Sequence, residues 1–152
     1  MVIFKTKGRE YLPWEDCLEI VGSESALKLQ FGGQMDFKET PFVLIARVKV
    51  KTGKVEEYFK IAKEADDAVE KTEPGMLFHN FDADPTDELK FTWTEIYKND
   101  AALIFHINNP PVGKYVEKHF ELADRFEIEI YRNLTSETIE FLSDAWFCKY
   151  SI

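Results

Sequence analysis

The chain is short of cysteine, of basic charge and of long apolar runs, and each shortage excludes something. Cys17 and Cys148 are its two cysteines, and they show no Cys-x-x-Cys spacing. They read as free thiols of a reducing compartment rather than as a disulfide framework. Lysine and arginine number 19 against 28 acidic residues, so the formal charge is −9. A chain this acidic lacks the basic patch that nucleic acid or an anionic membrane surface requires, and neither is expected as a partner. No apolar run approaches the roughly 20 residues that cross a bilayer. No apolar h-region follows Met1–Lys5, as a signal peptide would need. A cytoplasmic location is therefore expected, and the sequon Asn133-Leu134-Thr135 is expected to be meaningless. His79, His106 and His119 have no matched spacing for zinc, and the acidic turn Asp82–Asp87 misplaces the glycine and final glutamate of an EF-hand. No metal or cofactor is expected.

Aromatic residues are plentiful instead, with 13 phenylalanines. Large apolar side chains in such number fit a Phe-rich core, a wide apolar cavity or a large subunit interface. A length of 152 residues suits one domain with its own core. Residues 1–40 read as an N-terminal extension packed on a main domain of 41–152, because 40 residues without disulfide or metal are marginal alone. Within the extension, Val2–Lys5 suits a short strand. Pro13-Trp14-Glu15-Asp16 reads as a helix start, with Cys17, Leu18, Ile20 and Val21 as its apolar side. Ser25–Phe31 alternates before Gly32-Gly33 breaks the pattern.

The main domain is easier to read. Phe42–Val50 is rich in β-branched residues and apolar on both faces in its first half, as a central strand should be. Lys54–Thr72 repeats apolar residues at three- and four-residue spacing (Val55, Tyr58, Phe59, Ala62, Ala65, Val69) until Glu73-Pro74-Gly75 stops the helix. Met76–Phe81 and Leu89–Tyr97 read as strands. Asp100 is expected to cap a helix through His106, Pro110-Pro111 to interrupt it, and Val112–Asp124 to continue. Arg125–Tyr131 alternates as a fourth strand, Thr135 caps a helix to about Trp146, and 147–152 would close as a strand. The order β-α-β-β-α-β defines an α+β fold of the ferredoxin-like type, an antiparallel sheet with its helices on one face. Val43, Ile45 and Phe78 make the bare face apolar, so a homodimer through sheet faces is expected.

In that order, residues 42–131 resemble the antibiotic biosynthesis monooxygenase family. The resemblance rests on the turn Glu73-Pro74-Gly75, on Glu95-Ile96-Tyr97 in the third core strand, on Asp100-Ala101-Ala102-Leu103 followed by His106, and on Pro110 before a second helical piece. It implies a dimeric α+β barrel in which two ferredoxin-like sheets face one another. It also implies, for some members, cofactor-independent oxygenation of a phenolic or quinol-like aromatic bound between sheet and helices. Other members degrade haem with an Asn, a Trp and a His. Here Ala46 or Arg47 stands for the Asn, Tyr97 for the Trp, and His119 falls a few residues late, so haem degradation is not expected.

Strand alternation places Phe91, Trp93, Glu95 and Tyr97 on one face, where a desolvated carboxylate needs a partner. His106 is the candidate. Either Glu95 orients His106 as base or hydrogen-bond donor to a substrate, or the two satisfy one another and lock helix to sheet. The candidate catalytic residues are thus His106, Glu95 and Tyr97. The candidate substrate-binding residues are Trp93, Phe91, Phe59, and Tyr115 with His119, which share a helix face. Aromatic core and helix surface are the plain alternatives for these. His79 is expected to face a partner sheet. A non-catalytic barrel that binds a small hydrophobic ligand is the other reading of the whole chain.

Overall fold

Phe42–Val50 (β3) lies at the centre of the sheet, and its composition explains why. In a computed structural model, which describes residues 2–7, 18–20, 39–132 and 134–147, Phe42, Leu44, Ala46, Val48 and Val50 are all buried on one face. β3 pairs antiparallel with Lys90–Tyr97 (β5) on one side and Ala123–Ile130 (β6) on the other. Met76–Ala83 (β4) pairs with β5 and forms one edge. Beyond β6, Val2–Lys7 (β1) and then Leu18–Ile20 (β2) extend the sheet to six strands. The four strands β3–β6 and the helices between them make the β-α-β-β-α-β core. Leu18–Ile20 is a strand against β1 and not the apolar side of a helix. Its pairing with an available edge overrides a weak helical pattern. The alternation at Ser25–Phe31, the expected helix start at Pro13, both cysteines, Asn133 and the strand expected after 147 lie outside the described residues.

Helices cover the face that carries Leu44 and Ala46. Val55–Thr72 (α1) buries Tyr58, Ala62, Ala65 and Val69, the three- and four-residue stripe of its sequence. Asp100–Asn108 (α2) is capped by Asn99, whose side chain accepts from the Ala102 N–H at 3.1 Å. The cap expected at Asp100 is therefore one residue late. Asp100 is buried and instead accepts from the Thr138 hydroxyl at 2.9 Å, with Arg132 3.3 Å away. Pro110 and Pro111 begin Pro110–Leu122 (α3) at the positions where a missing N–H costs least. Thr135 caps Ser136–Phe147 (α4), accepting from the Thr138 N–H at 3.2 Å.

One glycine fixes the site. Gly75 follows α1, and a Cβ there would stand 2.6 Å from the Cβ of Ala102. Only glycine lets the start of α2 rest on the turn that ends α1. That close approach carries His106 of α2 over Glu73.

Candidate functional site

Sheet and helices do not close completely against one another. They leave a cavity of about 50 Å³, walled on the sheet side by Leu44, Ala46 and Ile128 and on the helix side by Val69, Val112 and Val116. That is several times the space one water needs. Polar groups enter this apolar cavity in three clusters.

The first is charged. Glu73 ends α1 with its side chain buried, and an acid at a helix C-terminus is repelled by the helix dipole. It is held by donors: Asn109 Nδ2 donates to Oε1 at 2.6 Å, and His106 Nδ1 lies 2.9 Å from Oε2. The opposing effects on His106 can be ranked. Burial pushes its pKa down, but the Glu95 and Glu73 carboxylates together outweigh burial and raise it above 6.5. Tyr97, wholly buried, donates its hydroxyl to Glu95 Oε2 at 2.7 Å and sets its ring edge-on to His106. Burial, then Glu95, pushes the Tyr97 pKa well up, so the phenol stays neutral. The expected Glu95–His106 hydrogen bond is thus corrected. Glu73 holds the imidazole, and Glu95 acts on it through its charge.

The second cluster is neutral. Trp93 Nε1 donates to the Tyr115 hydroxyl at 2.8 Å, Tyr115 and Tyr58 share a hydrogen bond of 2.5 Å, and Tyr58 lies 2.7 Å from His119 Nδ1. Burial, with a smaller effect from Lys51, lowers the His119 pKa to about 3. A neutral His119 can accept at Nδ1 from Tyr58, Tyr58 from Tyr115 and Tyr115 from Trp93. In that order every hydroxyl proton has an acceptor within the protein.

The third cluster is His79 of β4, whose Nδ1 is 2.5 Å from Asp66 Oδ1 on α1. The expectation that His79 faces away from the cavity fails because of a β-bulge. Met76 pairs with Tyr97, but Phe78 pairs with Ile96, so His79 falls opposite Glu95 on the inner face.

Among the sequence-derived candidates, His106, Glu95, Tyr97, Trp93 and Tyr115 all line this cavity. His119 stands behind Tyr58 and Tyr115 rather than on the wall. Phe91 and Phe59 are off the wall as well. Phe91 is buried against Phe81 and Phe59, and Phe59 is 45% exposed. Glu73, Tyr58 and Asp66 were not among the site candidates drawn from the sequence. Of these, the acid at a helix C-terminus is the one signal that could have flagged Glu73. Among the described residues, no group of three His, Cys, Asp or Glu side chains could hold a metal. No helix there is long and apolar enough to cross a membrane.

A ferredoxin-like α+β core, an antiparallel sheet with its helices on one face, defines the class of fold. The sequence profile described as antibiotic biosynthesis monooxygenase matches residues 41–118, from the start of β3 into α3, and the chain belongs to that family. An uncharacterised protein of Synechocystis is 31% identical over 102 residues, which are 66% of this chain and 69% of that one. A crystal structure from Bacteroides thetaiotaomicron, assigned to the same family, is 26% identical. It covers 65% of this chain and 92% of its own, with a TM-score of 0.56. A Caulobacter crescentus structure, also assigned to the family, shares the fold at 20% identity. Its TM-score is 0.60, and the match covers 65% of this chain and 94% of that one.

Proposed function

We propose that the protein is a cofactor-independent monooxygenase of a small quinol-like aromatic, with His106 as base. The observation that carries this reading is the Glu73–His106 pair at the wall of an apolar cavity, with Glu95 and Tyr97 beside it. Glu73 occupies Nδ1, so Nε2 is the ring nitrogen left for a ligand. Nε2 has no hydrogen-bond partner among the described residues. In the proposed reaction, Nε2 takes a proton from one quinol hydroxyl. Glu73 and Glu95 stabilise the imidazolium that results, and the imidazolium stabilises the quinol anion. The anion supplies the electrons. A quinol and O2 give a hydroxyquinone and water: one oxygen atom enters a ring C–H bond, the other leaves as water, and the ring is oxidised to the quinone level. No outside reductant is needed for that balance.

Size narrows the substrate. A benzene-sized ligand needs a cavity of roughly 150 Å³, so even one ring must displace side chains from the space of about 50 Å³. That selects single-ring substrates over anthrone-like tricyclic ones. It is also the observation that favours the second reading, a non-catalytic barrel that binds a small hydrophobic ligand. Oxygen uptake over quinols and phenols of increasing ring number separates the two. The expected result is uptake with single-ring quinols that His106→Ala abolishes. Uptake with none of them, or uptake unchanged in His106→Ala, contradicts the enzyme reading.

The assembly proposed with this site is a cytoplasmic homodimer joined through the outer sheet face, with residues 1–40 as an extension of the domain. Support comes from Val43, Ile45 and Ile96 on that face and from Phe78, 47% exposed beside them. Sedimentation is expected to give twice the chain mass; a monomer at micromolar concentration contradicts it.

A further inference from the structure

The bulge in β4 has one consequence for the cavity. Without it, period-two alternation from Met76 would put His79 opposite Thr94, on the outer face. With it, His79 stands opposite Glu95 and on the cavity wall, 2.5 Å from Asp66. The cavity therefore carries two carboxylate-held imidazoles, His106–Glu73 from the helix side and His79–Asp66 from the edge of the sheet. In both, Nδ1 is the atom next to the carboxylate, which leaves each Nε2 for a ligand. The two pairs are unequally buried: His79 and Asp66 side chains are 19% and 39% exposed, His106 and Glu73 12% and 2%. The His79 pair is thus the outer, more solvent-exposed of the two, and the His106 pair the inner, more buried one.

We infer that His79 is a second ligand-contacting residue and that the paired imidazoles select rings with two oxygen substituents, of the dihydroxybenzene class, over monophenols. This rests on the proposed aromatic-ligand reading and specifies its substrate. The inner imidazole contacts the hydroxyl that all phenols possess, and His79 contacts the second oxygen. Asp66 fixes the His79 ring so that the contact is preorganised.

Binding without oxygen tests this apart from turnover. Calorimetric titration of hydroquinone and of phenol compares wild type with His79→Gln, Asp66→Asn and His106→Gln, each first shown to be folded by its thermal transition. The wild type is expected to bind hydroquinone about tenfold more tightly than phenol, the ratio that one hydrogen bond supplies. His79→Gln is expected to reduce that ratio toward one and leave phenol affinity unchanged. Asp66→Asn should act in the same direction and more weakly. His106→Gln should weaken both ligands alike. A His79→Gln protein that keeps the wild-type ratio, or loses affinity for both ligands equally, overturns the role of His79 and leaves the base role of His106 standing. A wild type that binds neither ring overturns the aromatic-ligand reading and this inference with it.

Discussion

Two histidines of this protein, the partly buried His106 and the fully buried His119, are both pushed down in pKa by burial, yet their net shifts are opposite. His106 faces Glu73 and Glu95, and the two carboxylates raise its pKa above the ordinary 6.5 despite desolvation. His119 has a tyrosine hydroxyl for a partner and no compensating carboxylate, and burial lowers its pKa to about 3. Burial alone thus does not make a histidine a proton carrier; the charge of its neighbour decides. One side of the cavity carries an imidazole whose protonated form two carboxylates favour. The other is a neutral hydrogen-bonded chain that ties α3 to α1 and the sheet.

The largest expected difference is in turnover. His106→Ala should lower kcat/KM for quinol-dependent oxygen uptake by roughly 10²–10⁴-fold. His119→Gln, compared at equal folded fraction, should leave it within a few-fold. Equal losses would erase the distinction between the two sides. The pH profile sharpens it. A base works in its unprotonated form, so kcat/KM should rise with pH through a value above 6.5, and Glu73→Gln should move that rise to lower pH.

Stability should show the reverse ranking. Tyr58→Phe removes the hydroxyl between Tyr115 and His119 and leaves both short of a buried partner. A loss of about 1–3 kcal/mol is expected from urea midpoints. Gly75→Ala forces the new Cβ against Ala102 and should cost about 1–3 kcal/mol by the same measurement. A neutral result there would mean that α2 can slide off the turn without harm. The remaining effect is a slope with pH. An unfolded His119 titrates near 6.5 and the native one near 3, so the unfolded state binds the extra proton between those values. Its contribution to stability is therefore complete above about 6.5 and declines as pH falls toward 3. The contribution of His106 has the opposite sign: it is present below 6.5 and declines as pH rises through its raised native value. Urea midpoints across pH, with His119→Gln as control, would isolate the acid-side slope.

The core order was legible because it rests on local periodicity. β3 shows it in its β-branched residues, α1 in its three- and four-residue stripe, and the inner face of β5 in strict alternation. What was hidden depends on geometry that local pattern does not encode. Tyr58 and Phe59 are neighbours in one stripe, yet Tyr58 is buried and Phe59 half-exposed, because only one can point at the sheet. Glu73 meets His106 from 33 positions away through the side chain of a helix-ending residue. His79 turns inward because of one bulged residue, which the alternation of Leu77, His79 and Phe81 does not announce. That His106 would meet a carboxylate was readable in the sequence, while which carboxylate was not.

The most direct test of the central claim is a histidine ring titration by NMR in wild type and Glu73→Gln. The expected result is a His106 midpoint above 6.5 that falls in Glu73→Gln, beside a His119 ring that stays neutral to well below pH 5. A His106 that titrates below 6.5, or at the same pH with and without the Glu73 carboxylate, would contradict the account.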